Sequence, residues 1–294
     1  MNMIFHHGAL GDWVATFGVL RALARQGITA AVAPMSKAKL AAAVIDNLEP
    51  FDIDQRDLTL LFAPGAAQEI GSAWQAQLER ARLIVSFVSD GRDAWAQNMA
   101  KLATQAEVVF VDPRPGQGCR EHVCDRYERL LRSQGVVVEY PPIESRLNPG
   151  GPIVVHPGSG GHGKCWASDR FENLVRLLRL SGERVRVLIG EVELETWPAA
   201  RVERWIAGHG AEQVDSLEQL RKILRGTRIY IGNDSGPTHL SAAMGLTTIA
   251  LFGPTDPAVW SPRGPSVRVV APPRPAAMRW LSVEAVLATV QCCD

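Results

Sequence analysis

Three short stretches of this 294-residue chain hold most of the residues that could do chemistry. The densest reads Gly232-Asn233-Asp234-Ser235-Gly236-Pro237-Thr238-His239. Pro237 favours the first turn of a helix, so Ser235 and Gly236 fall at a helix start. The free N–H groups and positive dipole end there suit a phosphate. Read plainly, this is a capped helix, with Asp234 or Ser235 at the N-cap and His239 on the surface. A binding site is favoured because polar residues recur after the next apolar run, at Gly253-Pro254-Thr255-Asp256-Pro257. Ligands of open α/β sheets bind where strands end.

The second stretch is His156-Pro157-Gly158-Ser159-Gly160-Gly161-His162-Gly163-Lys164-Cys165-Trp166. It contains G-x-G-x-x-G and nearly matches the phosphate loop G-x-x-x-x-G-K, but Cys165 replaces the Ser or Thr that would hold Mg²⁺. A phosphate-loop helix starts at its lysine. Here Trp166-Ala167-Ser168-Asp169 intervenes, and Ser168 reads as the helix cap. ATPase and dinucleotide readings therefore fall back. The glycines still allow N–H groups near Ser159 and Gly160 to approach a diphosphate, with Lys164 as a point charge. Otherwise Lys164 is a solvated loop lysine.

The third stretch, Gly8-Ala9-Leu10-Gly11-Asp12, follows a short strand, Met3-Ile4-Phe5. A carboxylate at a helix start repels phosphate while being favoured by the dipole. Asp12 is thus an N-cap or a base facing a cleft, and His6 and His7 either border an acceptor or are structural. Glu191, Glu193 and Glu195 follow another strand, where an acid can meet ribose hydroxyls; Glu193 is the choice among them. Asp52-Ile53-Asp54 spells the D-x-D of metal-dependent sugar transfer, but such pairs arise easily in an acidic loop, and no metal is expected.

These stretches need a frame. Strands are expected at 3–5, 28–33, 58–62, 83–87 and 108–111, with helices from Asp12 to Gly27 and at 37–45, 93–104 and 121–133. An amphipathic helix is expected between the third and fourth strands. Pro141-Pro142 to Gly150-Gly151-Pro152 interrupts the rhythm. It resumes with strands at 153–156, 185–189, 228–231, 247–252 and 267–270, and helices at 170–180, 194–207, 237–244 and 280–290. Ser216 to Gln219 forms a capping box for one more helix, ending at Gly226. Pro and Gly leave the 253–257 loop irregular. Trp74 and Trp95 are expected in the core or in a lid. Such alternation indicates mostly parallel sheets covered on both faces. Two domains follow, 1–145 and 146–294, with the last helix, 280–291, free to pack back on the first.

Composition narrows the partners. Lys plus Arg equals 31 and Asp plus Glu equals 31, so no global field attracts nucleic acid. Five cysteines without metal-site spacing fit a reducing cytoplasm. The first residues carry His6, His7 and Asp12 without a basic leader, so no signal peptide is expected. No run approaches the roughly 18–20 apolar residues of a membrane span. Contact with the inner face of the cytoplasmic membrane would be peripheral.

Three places in the chain carry a resemblance. D-S-G-x-x-H, L-x-A-A-x-G and F-G-P-T-D-P between Asp234 and Pro257 resemble the C-terminal signature of glycosyltransferase family 9, the ADP-heptose:lipopolysaccharide heptosyltransferases and their relatives. G-x-x-G-D at 8–12 with Leu20-Arg21-Ala22-Leu23, and H-P-G followed by K-x-W at 156–166, are similar to the same family. The resemblance implies the α/β GT-B architecture, two Rossmann-like doubly wound domains facing a central cleft. It implies inverting, metal-independent transfer of heptose from ADP-heptose to a lipopolysaccharide core or related glycan or glycolipid acceptor, with no cofactor. Asp12 would be the catalytic base, with Gly11 and His7 on the acceptor side. Lys164, Ser159, Gly160, Ser235, Gly236 and His239 would hold the diphosphate, Asp234 the sugar and Glu193 the nucleoside. The chain departs from the family in its shortness, in Trp13 and in a thin 46–60 region, all bearing on acceptor choice. A nucleotide-sugar epimerase, a non-catalytic nucleotide-sugar-binding protein and an NAD-dependent oxidoreductase stand as alternatives. The oligomeric state is left open.

Overall fold

The computed structural model describes residues 1–116 and 118–293. It divides into two units, Met1–Pro141 and Pro142–Asp294. In the first, the elements run β1 (Asn2–Phe5), α1 (Leu10–Ala15), α2 (Phe17–Gln26), β2 (Thr29–Ala33), α3 (Met35–Ala42), β3 (Leu48–Asp52), α4 (Arg56–Leu60), α5 (Ser72–Glu79), β4 (Leu83–Ser86), α6 (Ala94–Leu102), β5 (Glu107–Phe110) and α7 (Val123–Arg132). The strands form a parallel sheet in the order β3-β2-β1-β4-β5. β2 is buried along its whole length, as a strand covered on both faces must be. Trp74 and Trp95 both belong to the core, where the Trp95 ring meets Phe5 edge-on at 5.2 Å.

Two expectations for this unit need correction. The strand expected at 58–62 belongs to a helical stretch: Leu58 and Leu61 are buried, three apart, the spacing of one helix face. The strand is β3 instead, paired with β2 at the sheet edge. It contains Pro50, which lacks an N–H and is tolerated at an edge but not inside a sheet. Nor does the first helix begin at Asp12. Ala9 is its N-cap, with no side-chain cap bond, and Asp12 lies in the first turn. Thr16 then closes α1 by donating its hydroxyl to Trp13 O at 2.7 Å before α2 resumes.

The second unit comprises β6 (Ile153–His156), α8 (Ser168–Leu180), β7 (Val185–Gly190), α9 (Glu191–Thr196), α10 (Ala199–Glu203), β8 (Glu212–Val214), α11 (Leu217–Arg225), β9 (Ile229–Asn233), α12 (Gly236–Ala243), β10 (Thr247–Leu251), α13 (Pro257–Trp260), β11 (Val267–Val270) and α14 (Val283–Gln291). Its parallel sheet has the order β11-β10-β9-β6-β7-β8. β9 and β10 are wholly buried, and the buried side of α14 lies in the core that also holds the inner face of α8. Linker residues dock on this unit, Arg146 N–H donating to Gly245 O at 2.8 Å.

The helix expected at 194–207 is broken into α9, α10 and a π turn, Arg204–Gly208. Pro198, which cannot sit inside a helix, separates the first two. β8 was not expected; with three residues it carries too little pattern to show. Ser168 is not the cap of α8. Ala167 holds that position, and the Ser168 hydroxyl accepts from the Trp205 indole at 3.0 Å. The loop after β10 includes one regular turn, α13, whose cap Asp256 accepts from Ala258 N–H at 2.9 Å. The Ser216 cap is as expected, accepting from Gln219 N–H at 3.2 Å, although Gln219 reaches back to Asp215 N–H rather than to Ser216.

Candidate functional site

In the second unit the site is framed by Asn233, the last residue of β9 and fully buried. Its amide donates to Pro157 O at 3.0 Å and Gly158 O at 3.2 Å, while its carbonyl accepts from Trp166 N–H at 2.9 Å. One side chain thus grips both ends of the glycine-rich loop that follows β6. Trp166 anchors the far end, its indole donating to Leu281 O at 3.0 Å and its ring packing on Phe171 at 4.9 Å. Between these fixed ends the loop turns through His162–Lys164 and brings Lys164 over β9.

Asp234 receives it. Lys164 Nζ donates to Asp234 Oδ2 at 2.8 Å. Thr255, from the loop after β10, donates to the same oxygen at 2.8 Å. His239, one turn into α12, lies 3.4 Å from Oδ1. Ser159 donates its hydroxyl to Asp234 O at 3.0 Å. Burial alone would push the Asp234 carboxyl up. Hydrogen bonds from His239 and Lys164, with their charges, outweigh it and hold the pKa at about 2. Ser235 and Gly236 sit at the start of α12, which no side chain caps. The Ser235 hydroxyl instead meets Thr238 Oγ1 at 3.0 Å. Gly160 is exposed at the tip of the loop. Lys164, Ser159, Asp234, Ser235, Gly236 and His239 are therefore brought together at the carboxyl ends of β6 and β9. A fixed cation, hydroxyls and an uncapped helix start can receive a diphosphate there.

Glu193 is placed differently. It is 1% exposed, caps α9 by accepting from Gly190 N–H at 2.8 Å, and lies 3.2 Å from His156 Nε2. Burial raises its pKa, but the bonds from His156 and Gly190 bring it below the ordinary value. Its carboxylate presses on the Gly158 backbone, where a Cβ would come 1.6 Å from Oε1. Glu191 and Glu195 are exposed, whereas Glu193, the choice for the ribose, is buried.

In the first unit, Asp12 is partly exposed in the first turn of α1. No described residue donates a hydrogen bond to its carboxylate. His6 is buried and accepts from Gly8 N–H through Nδ1 at 3.1 Å. Burial, then Lys37 and His7, lower its pKa to about 3, so the ring is neutral. Exposed His7 pairs with Asp54 at 3.2 Å, and Asp52 spends an oxygen on Asp54 N–H at 3.2 Å. The D-x-D pair is thus engaged in a turn and a histidine contact. Gly11 lies in α1.

Three residues of these clusters were not singled out from sequence. Asn233 and Thr255 lie inside motifs already noticed, and their place at strand ends was the available signal. Lys37 had none, because only the pairing of β1 with β2 brings it beside Gly8.

Two doubly wound parallel units, the second with a cation and hydroxyl cluster at its strand ends, define the GT-B class of fold. Residues 143–281 match the model of glycosyltransferase family 9 (heptosyltransferase). That segment lies within the second unit and takes in Ser159, Lys164, Asp234, His239 and Thr255. Lipopolysaccharide heptosyltransferase 1 of Escherichia coli (strain K12) is 31% identical over 114 residues, 38% of this chain and 34% of the relative. The match thus spans about a third of that curated relative's length. Among solved structures, E. coli heptosyltransferase WaaC with ADP aligns at a TM-score of 0.70 and 18% identity, over 100% of this chain and 99% of that one. E. coli ADP-heptose lps heptosyltransferase II aligns at 0.71 and 15% identity, over 99% and 98% of the two chains. At these identities the likeness is one of fold.

Proposed function

We propose that the chain is an inverting, metal-independent glycosyltransferase that moves heptose from ADP-heptose to a lipopolysaccharide core or related glycan. The observation that carries this reading is the Lys164–Asp234–His239–Thr255 cluster at the start of α12, inside the segment that matches the family 9 model. The relatives' names supply the sugar and the acceptor class. The epimerase and non-catalytic readings lose ground because the matched family is one of transferases.

The second unit binds the donor. Lys164 and the N–H groups around Ser159, Gly160, Ser235 and Gly236 take the diphosphate, with His239 beside them, and Asp234 accepts from sugar hydroxyls. Asp12 takes the proton from the acceptor hydroxyl as its oxygen attacks the anomeric carbon. The bond to the diphosphate breaks as the new one forms, and the electron pair leaves with the phosphate, whose charge Lys164 and the helix start stabilise. These groups supply the positive charge that a cation gives in other classes. An acceptor of this kind is a glycolipid, and the contact with the membrane is peripheral. Among the described residues no helix is long and apolar enough to cross one.

The test is Asp12→Ala, assayed with ADP-heptose and a heptose-deficient lipopolysaccharide. Turnover falls by roughly 10²–10⁴-fold, the range for a general base, while ADP binding stays near wild type. The wild-type reaction persists in EDTA. A folded Asp12→Ala protein with unchanged turnover removes the base, and an absolute need for Mg²⁺ or Mn²⁺ removes the metal independence.

A further inference from the structure

Lys37 sits where local energetics disfavours it. It occupies the first turn of α3, the positive end of the helix dipole, where an ammonium is destabilising. It is half-buried, and among the described residues no carboxylate pairs with it directly. Its Nζ donates to a neutral acceptor, Gly8 O, at 2.6 Å. Burial pulls the amine's pKa down, while the charges of Asp12 and Asp54 oppose the shift. Nothing in the stability of α3 accounts for a lysine held in this way.

What it holds is the turn that carries Asp12. The Gly8 C=O is taken by Lys37 and the Gly8 N–H by His6 Nδ1, so both polar groups of this residue are fixed. A second tie runs the other way, the Trp13 indole donating to Lys37 O at 2.9 Å. Lys37 therefore grips both flanks of the Gly8–Trp13 turn, one with its side chain and one with its main chain. The turn leaves no room for a side chain at Gly8, where a Cβ would lie 2.7 Å from His6 Cε1, 3.1 Å from Asp12 Cβ and 3.2 Å from Asp12 Oδ2. Gly8 and the Asp12 side chain are therefore immediate neighbours.

We infer that Lys37 is a positioning residue for Asp12, fixing the loop before α1 so that the carboxylate is presented at one place to the acceptor hydroxyl. The inference rests on the reading of Asp12 as the base. Such a residue acts on the chemical step, since a misplacement near 1 Å costs about a hundredfold in rate, and leaves donor binding alone.

A double-mutant cycle on the full chain decides it, with ADP-heptose and heptose-deficient lipopolysaccharide as substrates. Lys37→Met lowers kcat by roughly 10–100-fold with the donor KM within about twofold of wild type. Lys37→Arg, which can still donate to Gly8 O, recovers most of the loss. In the Asp12→Ala background Lys37→Met adds nothing, because the group it positions is gone. Should Lys37→Met not fold, Lys37→Gln carries the same cycle. Equal losses in both backgrounds, a loss confined to acceptor KM, or wild-type kcat in a folded Lys37→Met protein overturns the inference. Wild-type turnover in Asp12→Ala removes the base itself. An inactive Asp12→Ala beside a fully active Lys37→Met removes only the role of Lys37.

Discussion

Asp234 is 5% exposed, yet its two oxygens meet Lys164, Thr255 and His239. A buried carboxylate is costly unless so paired, and these partners come from three different segments. Removing a member therefore has separable effects on binding. Lys164 retains 37% side-chain exposure, enough for a phosphate to reach it. Lys164→Ala loses a charge-assisted contact worth roughly 1.5–3 kcal/mol, so ADP and ADP-heptose both bind about 10–150-fold more weakly. Asp234 cannot attract a phosphate, and Asp234→Asn weakens the nucleotide sugar more than plain ADP. Calorimetric titration of both variants with both ligands checks this. Equal losses in Asp234→Asn, or intact ADP binding in Lys164→Ala, would show the diphosphate to lie elsewhere. With its pKa at about 2, Asp234 contributes stability above the ordinary carboxylate range and loses it only as the pH falls towards 2. Binding near neutrality is insensitive to its titration.

Among the elements, the loop between β6 and α8 is held as tightly from beneath as at its ends. Gly158 lies against the buried Glu193 carboxylate, which is tied to Gly190 and His156. Gly158→Ala must push that carboxylate out of both bonds, an overpacking that costs about 1–3 kcal/mol. Its urea midpoint falls accordingly, whereas an unchanged midpoint means that Glu193 moves aside freely. β9, α12 and β10 were legible in the sequence because apolar runs, Pro237 and Gly245 mark every boundary. β3 was not, since Glu49 and Pro50 interrupt its apolar pattern and only pairing with β2 makes it a strand. The break at Pro198 is visible in the sequence, but the apolar spacing on either side of it continues as in a single helix. Ser159, Lys164, Asp234 and His239, which the structure brings together, could be named because they lie in two contiguous motifs. The contact between Lys37 and Gly8 joins residues from neighbouring strand–helix junctions and left no local trace.

Across the whole molecule, each unit is built on an open parallel sheet, with margins at β3 and β5 in one and at β11 and β8 in the other. The family match covers 143–281, within the second unit. Open margins have a further consequence, for how the chain behaves in a crowded solution. An unpaired strand offers its backbone to any other extended chain. β8 is only three residues long, and β3 offers Glu49, Pro50 and Asp52, two charges and a missing donor. The same proline that hides this strand from sequence reading also makes it a poor template for self-association. Pro50→Thr restores the N–H, and the variant scatters more light than wild type when refolded from denaturant at high concentration. Equal scattering from the two proteins would leave Pro50 without this guarding role.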